Sequence, residues 1–268
     1  MKEIILSLII IASLALGSYA QREPNYSDEQ GKKQGFWRKR NEDNRKVYEG
    51  HFVDDIPTGK FTYFYSSGTV KSVTYFSNNG KLARATMYTI GGKISATGNY
   101  INQKRDSIWT FYSEQGKKIS TETNVNGIKH GTAKVYYPNG NLVEKKEWVN
   151  GKLNGPFTKY FNNGQVRYTC AYLDDKVHGK ALIYFSNGRV YATGVYKNDL
   201  KDGTWVYYKK DGSLDHKEQY ANGRLYGDDP NVITQEQAEE ERKKYQESSG
   251  NRQQNMYNNG GNFSPGTR

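Results

Sequence analysis

The sequence predicts an all-β fold: an elongated, single-layer antiparallel β-meander of about eight 24-residue hairpin repeats, with a short C-terminal helix and a disordered tail. Three observations carry this. A 24-residue frame runs without a gap through Gly35, Gly59, Ala83, Ser107, Gly131, Gly155, Gly179 and Gly203, and Gly227 opens a further unit that is not completed. An ungapped period of this kind marks a one-dimensional array in which each unit contacts only its neighbours. Turn-forming residues recur at two fixed places in every unit. Finally, the apolar surface is carried by 23 Tyr, 10 Phe and 4 Trp, while the mean hydropathy is −0.94. Tyrosine buries its ring and keeps its hydroxyl wet, which suits a thin sheet better than a thick dry core.

Residues 1–20 read as a signal peptide. Lys2 is followed by the apolar run Ile4 to Leu16, and Ser18-Tyr19-Ala20 offers small residues where a signal peptidase reads. The run is too short to span a bilayer. The expected location is therefore exported: periplasmic, cell-envelope or secreted. Residues 21–34 are polar and aperiodic and read as a linker.

The repeat domain is expected over 35–227. In the unit from Gly155 to His178, Pro156 to Phe161 is an aromatic-rich strand and Asn162-Asn163-Gly164 is a hairpin turn. Gln165 to Tyr172 is the second strand, and Asp174-Asp175 begins the return turn. The hairpin glycine recurs as Gly68, Gly92, Gly116, Gly140, Gly164, Gly188 and Gly212, and every return turn opens on Asn or Asp. Short turns at both ends make neighbours in sequence neighbours in space. The first unit departs most, with Arg40 to Arg45 replacing the aromatic strand end and the turn glycine, and it reads as a polar cap on an exposed edge.

One aromatic ladder is Phe64, Tyr88, Tyr112, Tyr136, Tyr160, Tyr184 and Tyr208. A second is Phe52, Phe76, Tyr100, Trp148, Tyr172, Tyr196 and Tyr220, interrupted at Asn124. A third column alternates in size: Trp109, Ala133, Phe157, Ala181, Trp205. Equivalent positions lie two strands apart, about 9.6 Å, so large and small side chains in turn fill the gap. Thr234-Gln235-Glu236-Gln237 is a capping-box pattern and predicts a helix over 228–247; 248–268 is an Asn/Gly-rich tail.

The pattern of Gly-x-Trp/Phe, aromatics, Asn-Gly, an aliphatic, an aromatic and Asn-Gly-Lys resembles the MORN-repeat variant of bacterial proteins, including the YwqK-type antitoxins. Asn126-Gly127-Ile128-Lys129-His130-Gly131, Asn139-Gly140-Asn141-Leu142 and Asn150-Gly151-Lys152-Leu153-Asn154-Gly155 carry the resemblance best. It implies an elongated sheet of hairpins used for contact with proteins or lipid surfaces, and no catalytic motif. Gly203 to Tyr208 with Asp211-Gly212-Ser213 is also similar to choline- and glucan-binding wall repeats.

No catalytic, cofactor or metal constellation is present in the sequence. His130 and His178 share a repeat column two units apart, too far to share an ion, and a turn hydrogen bond is the expected role of both. Cys170 is the single cysteine and reads as a small, semi-buried strand residue. The functional-looking feature is electrostatic: net charge is +11. Basic residues recur beside the return turns: Lys81, Lys104, Arg105, Lys129, Lys152, Lys176, Lys201 and Arg224. They are expected along one long edge, about 9.6 Å apart, where a flat anionic surface could meet several together. Lysine beside Asn-Gly is also ordinary turn chemistry. The function expected is a non-enzymatic protein-interaction scaffold at the cell envelope. Binding of anionic lipid or polysaccharide through the basic edge is one alternative, and antitoxin-like neutralisation of a toxin is another. Nucleic acid is not favoured as a partner of an exported chain.

Overall fold

The computed structural model describes residues 24–226. The expectations for 1–20, 228–247 and 248–268 lie outside the described residues. Within them the chain forms strands and no helix. The first half runs β1 (Gly35–Arg40), β2 (Lys46–Val53), β3 (Ile56–Phe64), β4 (Val70–Ser77), β5 (Leu82–Tyr88), β6 (Ile94–Ile101), β7 (Lys104–Tyr112), β8 (Lys118–Val125) and β9 (Ile128–Lys129). The second runs β10 (Gly131–Tyr136), β11 (Leu142–Val149), β12 (Lys152–Tyr160), β13 (Val166–Leu173), β14 (Lys176–Tyr184), β15 (Val190–Lys197), β16 (Leu200–Tyr208), β17 (Leu214–Ala221) and β18 (Arg224–Tyr226). Successive strands pair antiparallel from end to end. β9 and β10 both lie on β8 and are two pieces of one lane, split at His130. The result is one open sheet, the meander that the repeat predicts.

Two turn geometries set the register. At the hairpin turn the Phe161 amide donates to the Gln165 carbonyl and the Gly164 amide to the Phe161 carbonyl, with Gly164 at φ +87°. A three-residue loop ending in a left-handed residue is a standard hairpin closure. In the first unit Asn44 takes the glycine's place at φ +59°, so the irregular sequence keeps the regular turn. At the return turn both central residues are left-handed, as in Asp174 (φ +48°) and Asp175 (φ +66°). That is the two-residue turn whose twist matches the flanking strands.

The return pairings of full-length strands also carry a bulge. Along β13, Thr169 faces Leu182 but Ala171 faces His178, so two extra residues of β14 are absorbed around Gly179 (φ +83°). The in-frame glycine is thus a bulge residue inside a strand. β4 and β5 are the exception, paired without a break from Ser72↔Met87 to Ser77↔Leu82. Here the frame residue is Ala83, buried in the core and without positive φ. The two surplus residues move into the loop, where Asn78, Asn79 and Gly80 take the positive φ instead. The 24-residue period survives because the extra length shifts from bulge to turn.

The core lies on one face. Trp109, Trp205 and Phe61 are almost fully buried, each over a glycine of the preceding strand. A Cβ added at Gly98 would stand 2.2 Å from Trp109, at Gly194 2.3 Å from Trp205, and at Gly50 2.5 Å from Phe61. Ala85 and Ala181 fill the intervening units, confirming the large-small alternation as packing. The indole N–H of Trp109 donates to the Asn99 carbonyl at 3.0 Å and that of Trp205 to Val195 at 3.2 Å, both beside a bulge. The second ladder packs edge-on against this column: Tyr100 on Trp109, Tyr172 on Phe157 and Tyr196 on Trp205. Cys170 is buried in the same cluster, where burial pushes its thiol pKa up.

The linker expected over 21–34 is corrected from residue 24 onward. Asn25 N–H donates to the Phe36 carbonyl, Gln34 N–H to Tyr26, and Trp37 Nε1 to the Tyr26 carbonyl at 3.0 Å. The segment folds along β1 and covers its outer edge. Lys33 lies over the Trp37 ring as Arg105 lies over Trp109 and Lys201 over Trp205, so it is a degenerate repeat unit. Its sequence echo is Gln30-Gly31-Lys32-Lys33-Gln34-Gly35, in frame with Asn150 to Gly155.

Candidate binding surfaces

Strand pleat divides the cations expected on one edge. Residues on alternating positions of a strand face opposite sides of the sheet. Lys104, Lys152, Lys176 and Arg224 are the first strand residues after their return turns, paired with Ile101, Val149, Leu173 and Ala221. Arg105, Lys129 and Lys201 come one residue later and turn onto the aromatic face. Lys81 lies in the enlarged loop before β5.

Those on the aromatic face are engaged. Glu122, largely buried, accepts Arg105 at 3.5 Å and Lys129 at 3.3 Å. The Arg105 guanidinium also lies 4.5 Å from the Trp109 ring centre, and the Lys129 ammonium 4.9 Å from that of Trp148. Four units on, Lys201 repeats the arrangement. Its ammonium donates to Tyr207 (2.8 Å) and Tyr220 (3.1 Å), lies 3.8 Å from Glu218 and covers Trp205. Burial pulls the Lys201 pKa below the ordinary lysine range, and Glu218 opposes that shift. Burial alone would raise Glu218, but hydrogen bonds from Tyr207 and Tyr220 and the Lys201 charge outweigh it and hold the carboxyl low. Burial likewise raises Tyr220 to about 12. These cations close the core. They do not line an edge left free for an anionic partner.

The expected turn role of the column holding His130 and His178 is seen at His130. Asn150 N–H donates to His130 Nδ1 at 3.4 Å, as Asn126 N–H donates to Asp106 and Asn222 N–H to Asp202. His178 Nδ1 is buried without such a bond. The ladder from Phe64 to Tyr208 ends the first strand of each hairpin and is half-buried throughout, with Lys46 over Phe64 and Lys118 over Tyr136. The described residues hold no cluster of His, Cys, Asp and Glu able to bind a metal ion.

The sequence reading missed the face opposite the aromatic one. Beside the return turns stand Val53 with Ile56, Leu82, Val125 with Ile128, Val149 and Leu173, all exposed; Val53 is 54% and Ile128 52% accessible. Ile56 and Ile128 lie against the next turns, where added Cβ atoms at Gly80 and Gly151 would meet them at 3.1 and 3.4 Å. This makes a row of aliphatic side chains along the sheet, flanked by Lys104, Lys152 and Lys176. The signal was present in sequence: Val53, Ile101, Val125, Val149, Leu173 and Ala221 each precede an Asn/Asp turn, with Ser77 and Lys197 the exceptions, on the face that hydropathy alone assigns to solvent.

An open hairpin array that offers faces and edges in place of an enclosed pocket defines a repeat protein of the surface-binding class. The model for the family described as MORN repeat variant matches residues 57–78, 129–150, 153–174 and 177–198. Four of the chain's repeat units thus match MORN repeats, and repeats of this family commonly serve as protein- or lipid-binding modules. No curated protein matches it. Solved structures similar in part include "Crystal Structure of TarM", at 16% identity and TM-score 0.28, over 36% of this chain and 19% of that one. Another is "Crystal structure of GtfA/B complex bound to UDP and GlcNAc", at 12% identity and TM-score 0.20, over 47% and 24%. The chain thus spans a quarter or less of the length of those structures.

Proposed function

We propose that the chain is an exported, non-enzymatic scaffold that docks a protein partner on the aliphatic row. The carrying observation is the exposed line of Val53, Ile56, Leu82, Val125, Ile128 and Val149 beside the return turns, on the face opposite the aromatic core. Contiguous exposed apolar side chains with a polar rim are the usual mark of a protein interface. The flanking lysines favour a partner whose own apolar ridge is bordered by carboxylates. The apolar run at Ile4 to Leu16 supports export and a site of action at the cell envelope.

The test is capture of partners by tagged mature protein from its native envelope, beside a Val125→Glu/Ile128→Glu/Val149→Glu variant. A stoichiometric partner held by the parent and weakened about tenfold or more in the variant is expected, since hot-spot losses reach about 2 kcal/mol each. Equal recovery by both proteins contradicts the proposal. Loss of binding to anionic vesicles, with no protein captured, would assign the row to a lipid surface instead.

A further inference from the structure

The two long edges of the sheet differ in charge. At the return edge the cations stand among Asp54, Asp55, Asp106, Asp174, Asp199 and Asp202. At the hairpin edge the residue after the left-handed turn position is Arg45, Lys93, Lys117 or Arg189, interspersed with neutral donors such as Thr69 and Gln165. Every member of that column is exposed, can donate a hydrogen bond, and is not acidic. Over the first four hairpin turns Lys71 and Lys118 add to the column, and the carboxylates there are Glu42, Asp43 and Glu114.

Between the first two of these turns is an open bay of about 510 Å³ lined by Arg45, Lys46, Ser66, Ser67 and Gly68. Arg45 Nη1 donates to the Ser66 carbonyl at 3.4 Å, which leaves most of its guanidinium donors for a guest. A guanidinium and two serine hydroxyls suit an anion attached to a hydroxyl-rich molecule, with the Lys46 ammonium alongside, shared with Glu49 at 3.4 Å and lying over Phe64. Cations one unit apart are separated by about 9.6 Å, two strand spacings. Two linked sugar rings of an extended glycan cover a similar length, so one acidic group per disaccharide meets one cation per repeat.

Nucleic acid fits less well. Single strands are held by stacking on open aromatic faces, and here Lys71 covers Tyr65, Lys118 covers Tyr136 at 4.1 Å, and Arg167 covers Phe161. A duplex carries a charge about every 1.7 Å of its axis, far denser than this comb. We propose that the hairpin edge from Arg45 to Lys118 binds a linear acidic polysaccharide with about one carboxylate or sulfate per disaccharide, the Arg45–Gly68 bay being its best-formed subsite. This surface lies on the opposite edge from the aliphatic row and stands independently of the protein partner.

The experiment is titration of the full chain with hyaluronan fragments, which carry a single carboxylate per disaccharide. Parallel titrations use neutral dextran, single-stranded DNA and anionic vesicles at the same salt. Binding to hyaluronan and not dextran is expected. A Lys71→Ser/Lys93→Ser/Lys117→Ser variant with unchanged circular dichroism should lose about tenfold in affinity, as three exposed ion pairs at about 0.5 kcal/mol each require. A Lys104→Ser/Lys152→Ser/Lys176→Ser variant, altered on the return edge, should change by less than about twofold. Absent hyaluronan binding, equal losses in both variants, or tighter binding of DNA or vesicles would each overturn the proposal.

Discussion

Gly194 and Trp205 show how a one-layer sheet makes a dry interior. The indole lies where a side chain on the preceding strand would stand, and its N–H takes a carbonyl beside the bulge. Both partners are needed: the glycine gives room, and the bulge gives an acceptor for an otherwise buried donor. Gly194→Ala should therefore cost about 2 kcal/mol, within the range of overpacked cores. Gly91→Ala, where an added Cβ meets only Thr89 Oγ1 at 3.8 Å and φ is ordinary, should stay within about 0.5 kcal/mol. Denaturant unfolding of the two variants measures this, and equal effects would contradict it. The size alternation was legible in sequence because volume is a property of residue type. The glycine partner was not, because the register that opposes Gly194 to Trp205 depends on a bulge whose length the sequence does not print. The direction of Arg105 and Lys201 was hidden for a related reason: one residue of pleat separates a side chain on the free face from one laid over an indole.

At the scale of the element, the bulge and the return turn exchange residues. Units with Gly at the frame position store two extra residues in the strand, while the unit with Ala83 stores them in the loop. Ser107 is the revealing intermediate. It keeps the bulge without being glycine and sits at φ +58°, a conformation that costs a non-glycine residue about 1 kcal/mol or more. Ser107→Gly should stabilise the protein by about 0.5 kcal/mol, the relief being partly offset by the greater freedom of glycine in the unfolded chain. Ala83→Gly in the neighbouring unit should destabilise by about 1 kcal/mol, since Ala83 is buried at ordinary φ. Thermal or chemical unfolding that gives the two changes the same sign would refute the exchange. Both turns were readable from Asn, Asp and Gly spacing. The relocated bulge was signalled only by Ala83 and by the enlarged Asn78-Asn79-Gly80 loop. The fold-back of residues 24–34 was hidden because its turn reads Gln30-Gly31 where other units have Asn or Asp.

For the whole molecule, the claim that matters is openness. Each strand contacts its sequence neighbours, the segment folded along β1 and β18 bound the sheet among the described residues, and both binding proposals need long surfaces that a closed or two-layer body would hide. The repeat period made this architecture legible from the outset, whereas the charge difference between the edges emerges only when the strands are placed side by side. Spin labels at Ser66→Cys and Lys210→Cys, in a Cys170→Ala background, occupy equivalent hairpin turns six units apart. Twelve strand spacings separate them by about 58 Å along an open sheet. A dipolar distance distribution centred beyond about 45 Å is the predicted result; one centred below about 35 Å, as expected across a compact domain of this length, would contradict the account.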